Sequence, residues 1–320
     1  NIEDMFDVIV VGSLNFDLAV YSDCFPRPGE TIKGTEFVTS FGGKGANQAV
    51  ACSKLGAKVA MVGKVGNDAY GDQLIENLKS NGVDTEHVTK FDTCSGIAHI
   101  TVNASTGENA IIIIPGANGV ISEINIIEAG NEIKNSKVML CQLEVSQDVV
   151  IAALKIAKNN GLVTVLNPAP AGPLPDEMLK LVDIICPNEL ELEKICQSRG
   201  FDFDRNDLKQ IKSASEFLAL QGKFDVVVTL GERGAFWVPG LYSGHSQSVY
   251  FPAEKVEQVI DTTGAGDSFI GSFGAYLGND FLMEEAIEKA VKIASISVSR
   301  RGAQPSYPSC SELPIDLRLK

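Results

Sequence analysis

The chain has 320 residues, enough for one large α/β domain or one domain with a small appendage. Its 41 acidic against 27 basic residues give a net charge of −14, which argues against binding a nucleic-acid backbone but leaves room for an anionic nucleotide held by local amides and a metal. Apolar residues make up 44 %, yet no apolar run reaches membrane-spanning length, and the acidic opening NIEDMFDVIVVG does not read as a signal peptide; a soluble, cytoplasmic protein is expected.

In chain order, Asp7–Gly12 is predicted as a strand, followed by the helix-free stretch DLAVYSDCFPRPGETIKGTEFVTSFGG. A helix over Lys44–Leu55, a strand over Lys58–Gly66 and a helix over Gly71–Asn81 come next. A second helix-free stretch, GIAHITVNASTGENAIIIIPGAN, carries a predicted hairpin tip at Ser105–Asn109. Strands are then predicted over Lys137–Glu144, Val163–Pro170, Asp183–Glu189 and Asp225–Gly231. Helices are predicted over Ser146–Asn160, Glu189–Gln197, Asn206–Gln221, Gly266–Leu277 and Met283–Ser299. The strands are β-branched with little alternation, as in strands buried on both faces. Alternating β and α elements imply a three-layer α/β fold with a mostly parallel central sheet between helices. The helix-free stretches, at about 16–41 and 97–115, either form a small β-sheet lid over one edge or lengthen the main sheet. No repeat or long linker divides residues 1–320, so a single domain is expected. The seven cysteines form no CxxC pair and are expected to be inert thiols.

Ligands of open parallel sheets sit beyond the carboxyl ends of the strands. There the chain places Asn15 and Asp17, Glu144, Asn167, Asn188 and Glu191, and Thr229 and Gly231. Each is also an ordinary turn or cap residue. Together they suit a polyhydroxylated ligand, which needs paired donors and acceptors. SFGGKGANQ opens a helix with a glycine-rich turn, but Val38 and Gly45 break the P-loop pattern, and GSLNFD replaces a dinucleotide fingerprint. Lys44 and Asn47 either donate to ligand hydroxyls or simply belong to a helix entry with an exposed lysine.

DTTGAGDSF puts Asp267 at the start of a helix beside Gly264, Ala265 and Gly266. The first amides of a helix lack internal partners and attract anions. Such a turn can hold charge developing on a phosphoryl group while the carboxylate takes a proton from an attacking hydroxyl. Asp267 can equally be a first-turn residue answering the helix dipole, worth about 0.3–1 kcal/mol.

VVGSLNFD, FGGKGANQA, CQLE, NPAPA, PNELE, VVVTLGERG, DTTGAGDSF and RRGAQPSYP occur in one order along nearly the whole chain. This set resembles the ribokinase (PfkB-type) family of sugar kinases. The resemblance implies ATP-dependent phosphorylation of the 5-hydroxyl of D-ribose, with Asp267 as base and Gly264, Ala265 and Gly266 as anion hole. It implies ribose contacts at Asn15, Asp17, Gly43, Lys44, Asn47 and Glu144. It further implies a nucleotide site at Asn188, Glu191, Thr229, Gly231 and Gly266, with magnesium on the phosphates. A potassium site maps to Asp261, Thr263, Ser297, Arg300, Gly302 and Ser306, several through backbone carbonyls. Ser297 stands where small residues vary, without consequence if its carbonyl serves. The lid, by the same resemblance, makes a homodimer contact. Rivals are another sugar or nucleoside kinase of this family and a non-catalytic sugar-binding protein. His87, His99 and His245 are too dispersed for a metal site, and Trp237 is expected to pack rather than stack on a base.

Overall fold

Strand β1 (Phe6–Val11) is the central example of how the main sheet is built. Val8 and Val10 join one core cluster, Ile9 and Val11 the other, and all four are fully buried. A two-residue side-chain period gives this when both faces of a strand are covered. The computed structural model describes residues 5–241 and 244–319, so the first four residues of the acidic opening lie outside it.

After β1 come β2 (Asn15–Ser22), β3 (Glu36–Gly42), α1 (Lys44–Lys54), β4 (Val59–Gly66), α2 (Ala69–Ser80), β5 (Val83–Phe91), β6 (Gly96–Asn103) and β7 (Asn109–Ile114). A 3-10 turn at Gly116–Val120 and two short helices, α3 (Glu123–Glu128) and α4 (Gly130–Lys134), lead into β8 (Ser136–Cys141). Then follow α5 (Gln147–Asn159), β9 (Val163–Leu166), α6 (Asp176–Leu179), β10 (Ile184–Ile185), α7 (Glu189–Gln197) and α8 (Leu208–Gly222). The chain ends with β11 (Asp225–Thr229), β12 (Ala235–Val238), β13 (Val249–Phe251), α9 (Ala265–Gly278), α10 (Met283–Ser297) and short 3-10 turns.

Nine strands form the main sheet in the order β13-β12-β11-β10-β9-β8-β1-β4-β5. All run in one direction except β12, which pairs antiparallel with both β11 and β13. Helices α1, α2, α9 and α10 cover one face and α3 to α8 the other, giving three layers. From β1 the chain builds outward through β4 and β5, then returns to β8 and builds the other way. The crevice at such a reversal is where open α/β sheets hold ligands.

The two helix-free stretches pair with each other instead of lengthening that sheet. They form a four-stranded sheet, β3-β2-β6-β7, in which only β2 and β6 run parallel. Edge strand β7 is exposed at every residue. Some strands are shorter than the sequence suggests: β9 stops before Pro168 and β10 before Pro187, because proline supplies no N–H to the ladder. Unanticipated are β5, β12, β13, α3, α4 and α6. In β5, VDTEHVTKF, charged residues interrupt the apolar run. Among the described residues, no helix is long and apolar enough to cross a membrane.

Candidate active site

Helices α1 and α9 approach so closely that a Cβ on Gly271 would stand 2.6 Å from that of Ala51. One turn earlier on each helix, Asn47, Gln48 and Asp267 meet. Asn47 Nδ2 donates to one oxygen of Asp267 at 2.9 Å, and Gln48 Nε2 donates to the other at 3.0 Å. Asp267 is only 7 % exposed. Behind Gln48, its Oε1 accepts from Gln142 Nε2 at 2.6 Å, and its Nε2 also reaches Asn167 Oδ1 at 3.2 Å. Behind Asn47, its Oδ1 accepts from Gln304 Nε2 at 3.0 Å. Buried polar groups of this kind persist only when partnered, so the carboxamides and the carboxylate fix one another. Sequence reasoning singled out Asn47, Asn167 and Asp267 but not Gln48, Gln142 or Gln304. All three lie inside the motifs FGGKGANQA, CQLE and RRGAQPSYP, yet an amide side chain carries no sign of what it will face.

Gly264 caps α9 in the left-handed region, φ 75° and ψ 3°. A Cβ there would stand 2.6 Å from both the Tyr307 hydroxyl and the Ala303 Cβ, and that hydroxyl donates to the Gly264 carbonyl at 3.1 Å. The anion hole is expected from Gly264, Ala265 and Gly266, at this turn. The Ala265 amide is engaged, donating to the Thr262 carbonyl at 3.2 Å. Among the described residues, the N–H groups of Gly264, Gly266 and Asp267 have no backbone acceptor. A Cβ on Gly266 would meet nothing within 4 Å, so its face is open.

Asn15 and Asp17 lie on β2 of the second sheet rather than in a turn after β1. Asn118, unassigned in the sequence, orients Asn15 by donating to its Oδ1 at 2.8 Å. A Cβ on Gly42 would stand 2.3 Å from an Asp17 oxygen, so glycine is what admits that carboxylate. Gly43, with φ 86°, lies against the backbone of Leu14 and Asn15. Glu144, just beyond β8, accepts from the Ser13 hydroxyl and from the Lys44 amide at 3.0 Å. Burial, aided by the charge of Glu144, pushes the Asp17 carboxyl up to about 7. Burial works against the Lys44 ammonium, but Asp267, Glu144 and Glu191 together outweigh it and raise its pKa above the usual lysine value.

A polar pocket of about 200 Å³ is bordered by Lys44, Asn167, Asn188, Glu191, Gly266 and Asp267. Asn188, Thr229 and Gly266 also border a larger cleft of about 1030 Å³, whose walls include Gly231, Val256, Val259 and Phe269. The two spaces therefore adjoin beside Asp267. Asn188 and Glu191 form a reciprocal capping box that starts α7, at 2.9 and 2.8 Å, which accounts for their spacing. Burial raises the Glu191 pKa. Buried Trp237 lies in β12, within the core and away from both spaces.

The remaining sequence candidates surround the loop before α9. Asp261 accepts from the Thr263 amide at 2.9 Å and the Gly302 amide at 2.8 Å. Burial opposes its ionisation, but these bonds prevail and hold its carboxyl below the usual range. The Ser297 and Ser306 hydroxyls donate to the Ala294 and Ala303 carbonyls, and Arg300 pairs with Glu312 at 3.0 Å. What these residues offer an ion is oxygen, from carbonyls and one carboxylate, a set suited to a hard cation. Among the described residues, no cluster of three or more His, Cys, Asp or Glu side chains could hold a metal.

Comparisons with known proteins agree with this arrangement. The pfkB family carbohydrate kinase model matches residues 5–310. Deoxyribokinase of Salmonella typhimurium is 41 % identical over 308 residues, spanning 96 % of this chain and 97 % of its own. Ribokinase of Dictyostelium discoideum is 41 % identical over 318 residues, spanning 96 % of this chain and 99 % of its own. The structure of Arabidopsis thaliana ribokinase complexed with ribose and ATP matches with a TM-score of 0.89 at 31 % identity, over 99 % of this chain and 100 % of that one. With a family model and relatives this similar over nearly the full length, the chain belongs to the pfkB family of carbohydrate kinases.

Proposed function

We propose that the chain transfers the γ-phosphoryl group of ATP to the 5-hydroxyl of D-ribose, giving ribose 5-phosphate and ADP. The observation that carries this reading is Asp267, held at the junction of a polar pocket and a long nucleotide-sized cleft, beside unpartnered helix amides. Ribose lies among Asn15, Asp17, Gly43, Lys44, Asn47 and Glu144, roofed by the second sheet acting as a lid. ATP lies along the cleft, past Thr229 and Gly231, with its phosphates toward Asn188, Glu191 and Gly266.

Asp267 takes the proton of the attacking hydroxyl. The amides of Gly264, Gly266 and Asp267, with the Lys44 ammonium nearby, receive the charge that develops on the phosphoryl oxygens. Most of the acceleration is positioning and charge stabilisation. Magnesium, when bound, neutralises phosphate charge; Asn188 and Glu191 stand where they would orient it through water. Asp261, Thr263, Ser297, Arg300, Gly302 and Ser306 would hold a potassium ion, which supplies order to the loop carrying the amides. The exposed residues Ile111 to Ile114, with Phe37 and Val38, support a homodimer through the lid.

The test is a coupled assay of ADP release with ribose, with and without potassium. ADP production with ribose is expected; none with any sugar overturns the reading in favour of a sugar-binding protein. Deoxyribose is a second acceptor to include, favoured by the 41 % identity to a deoxyribokinase. Higher kcat/KM on deoxyribose would reassign the substrate without changing the chemistry.

A further inference from the structure

We propose that Asn77 and Gln304 are positioning residues for Asp267, acting by setting the direction of a head-to-tail chain of carboxamides that ends on its carboxylate. Asn77, half-buried on α2, donates from Nδ2 to Gln304 Oε1 at 2.7 Å. Gln304 Nε2 donates to Asn47 Oδ1 at 3.0 Å, and Asn47 Nδ2 donates to Asp267 at 2.9 Å. Gln304 is 4 % exposed, and its backbone is pinned: Lys54 Nζ donates to its carbonyl at 2.7 Å and to that of Tyr307 at 3.1 Å. With the backbone fixed, the freedom left to this side chain is which end of the amide faces which neighbour.

A carboxamide has one donor end and one acceptor end. Each link in the chain therefore dictates the next. Asn77 offers N–H, so Gln304 turns its oxygen outward and its nitrogen to Asn47. Asn47 must then present its nitrogen to Asp267. An acceptor-only group at position 77 reverses every link. Gln304 would turn its nitrogen outward, Asn47 would give its nitrogen to Gln304, and its oxygen would face the Asp267 carboxylate. Two acceptors facing each other in a buried site repel and leave the carboxylate one donor short.

The inference rests on reading Asp267 as the base, and the experiment separates the two. Steady-state kinetics would be measured for N77D, N77A and D267N, with thermal unfolding as the check on folding. N77D, nearly isosteric, is expected to lower kcat about 10- to 100-fold, as displaced catalytic groups do, with KM for MgATP within about twofold. N77A imposes no direction, and water can reach Gln304, so kcat should stay within about fivefold. A role in packing alone predicts the opposite order, because alanine leaves a gap and aspartate does not. Wild-type turnover by N77D, or a greater loss in N77A than in N77D, overturns the proposal. Wild-type turnover by D267N instead overturns the base assignment. Should N77D not fold, amide exchange in 15N-labelled wild-type protein decides: slow exchange at the Gln304 side-chain amide is expected, and fast exchange there overturns the chain.

Discussion

Asp267 is a buried carboxylate and Asp17 a half-buried one, and their surroundings differ. Asp267 has an amide donor on each oxygen, whereas Asp17 faces Glu144 and the backbone of Gly42. Replacing Asp267 by Asn removes the proton acceptor and is expected to lower kcat about 10²- to 10⁴-fold, with ribose binding largely kept, as measured by turnover and calorimetry. Near-normal turnover of folded D267N would remove the general-base role. For Asp17, a carboxyl raised from 3.8 to about 7 predicts a pH dependence. The folded chain holds this proton where the unfolded chain has lost it, so its contribution to stability declines as pH climbs from about 4 to about 7. The ionised form is the better acceptor for sugar hydroxyls, so ribose affinity should rise over the upper part of that window. Calorimetric titration of ribose between pH 6 and 8 checks this, with D17N expected to flatten the profile. Both acids were legible as candidates from motif chemistry. Their differing environments were not, because burial and neighbours come from distant segments.

At the scale of elements, the close contact of α1 and α9 decides the site. Two helices meeting through Gly271 and Ala51 bring groups 220 residues apart into hydrogen-bond range. The start of α9 is equally constrained. A G264A substitution places a Cβ at positive φ and 2.6 Å from Tyr307 and Ala303. It should cost about 1–3 kcal/mol of stability, seen as a lower Tm, and impair kcat more than the KM for ribose. A G264A protein with wild-type Tm and kcat would show that the turn tolerates a side chain. Most helices and buried strands could be anticipated within a few residues, since apolar periodicity is local. Strand β5, with its interspersed charges, could not, and β12 and β13 gave too short a signal.

For the whole molecule, the second sheet is the least self-sufficient part. Its edge strand β7 exposes Ile111, Ile112, Ile113 and Ile114, with Ile112 at 65 %. An unpaired apolar edge of this kind favours pairing with another chain. The protein is expected to sediment as a dimer, and the pair I112K and I114K to shift it toward monomer with a raised KM for ribose. A wild-type monomer at micromolar concentration would refute the lid contact.

The order of most strands and helices, the glycine-rich turns and the residue types available for phosphoryl transfer were already determined along the chain. Each depends on near neighbours: a side-chain period, a positive φ, the bare amides at a helix start. Only the folded molecule decided that Gln48 and Gln142 back one oxygen of Asp267 while Gln304 and Asn77 stand behind the other. Those partners come from separate segments, and a hydrogen bond between amides is set by where packing leaves their ends, which no local pattern encodes.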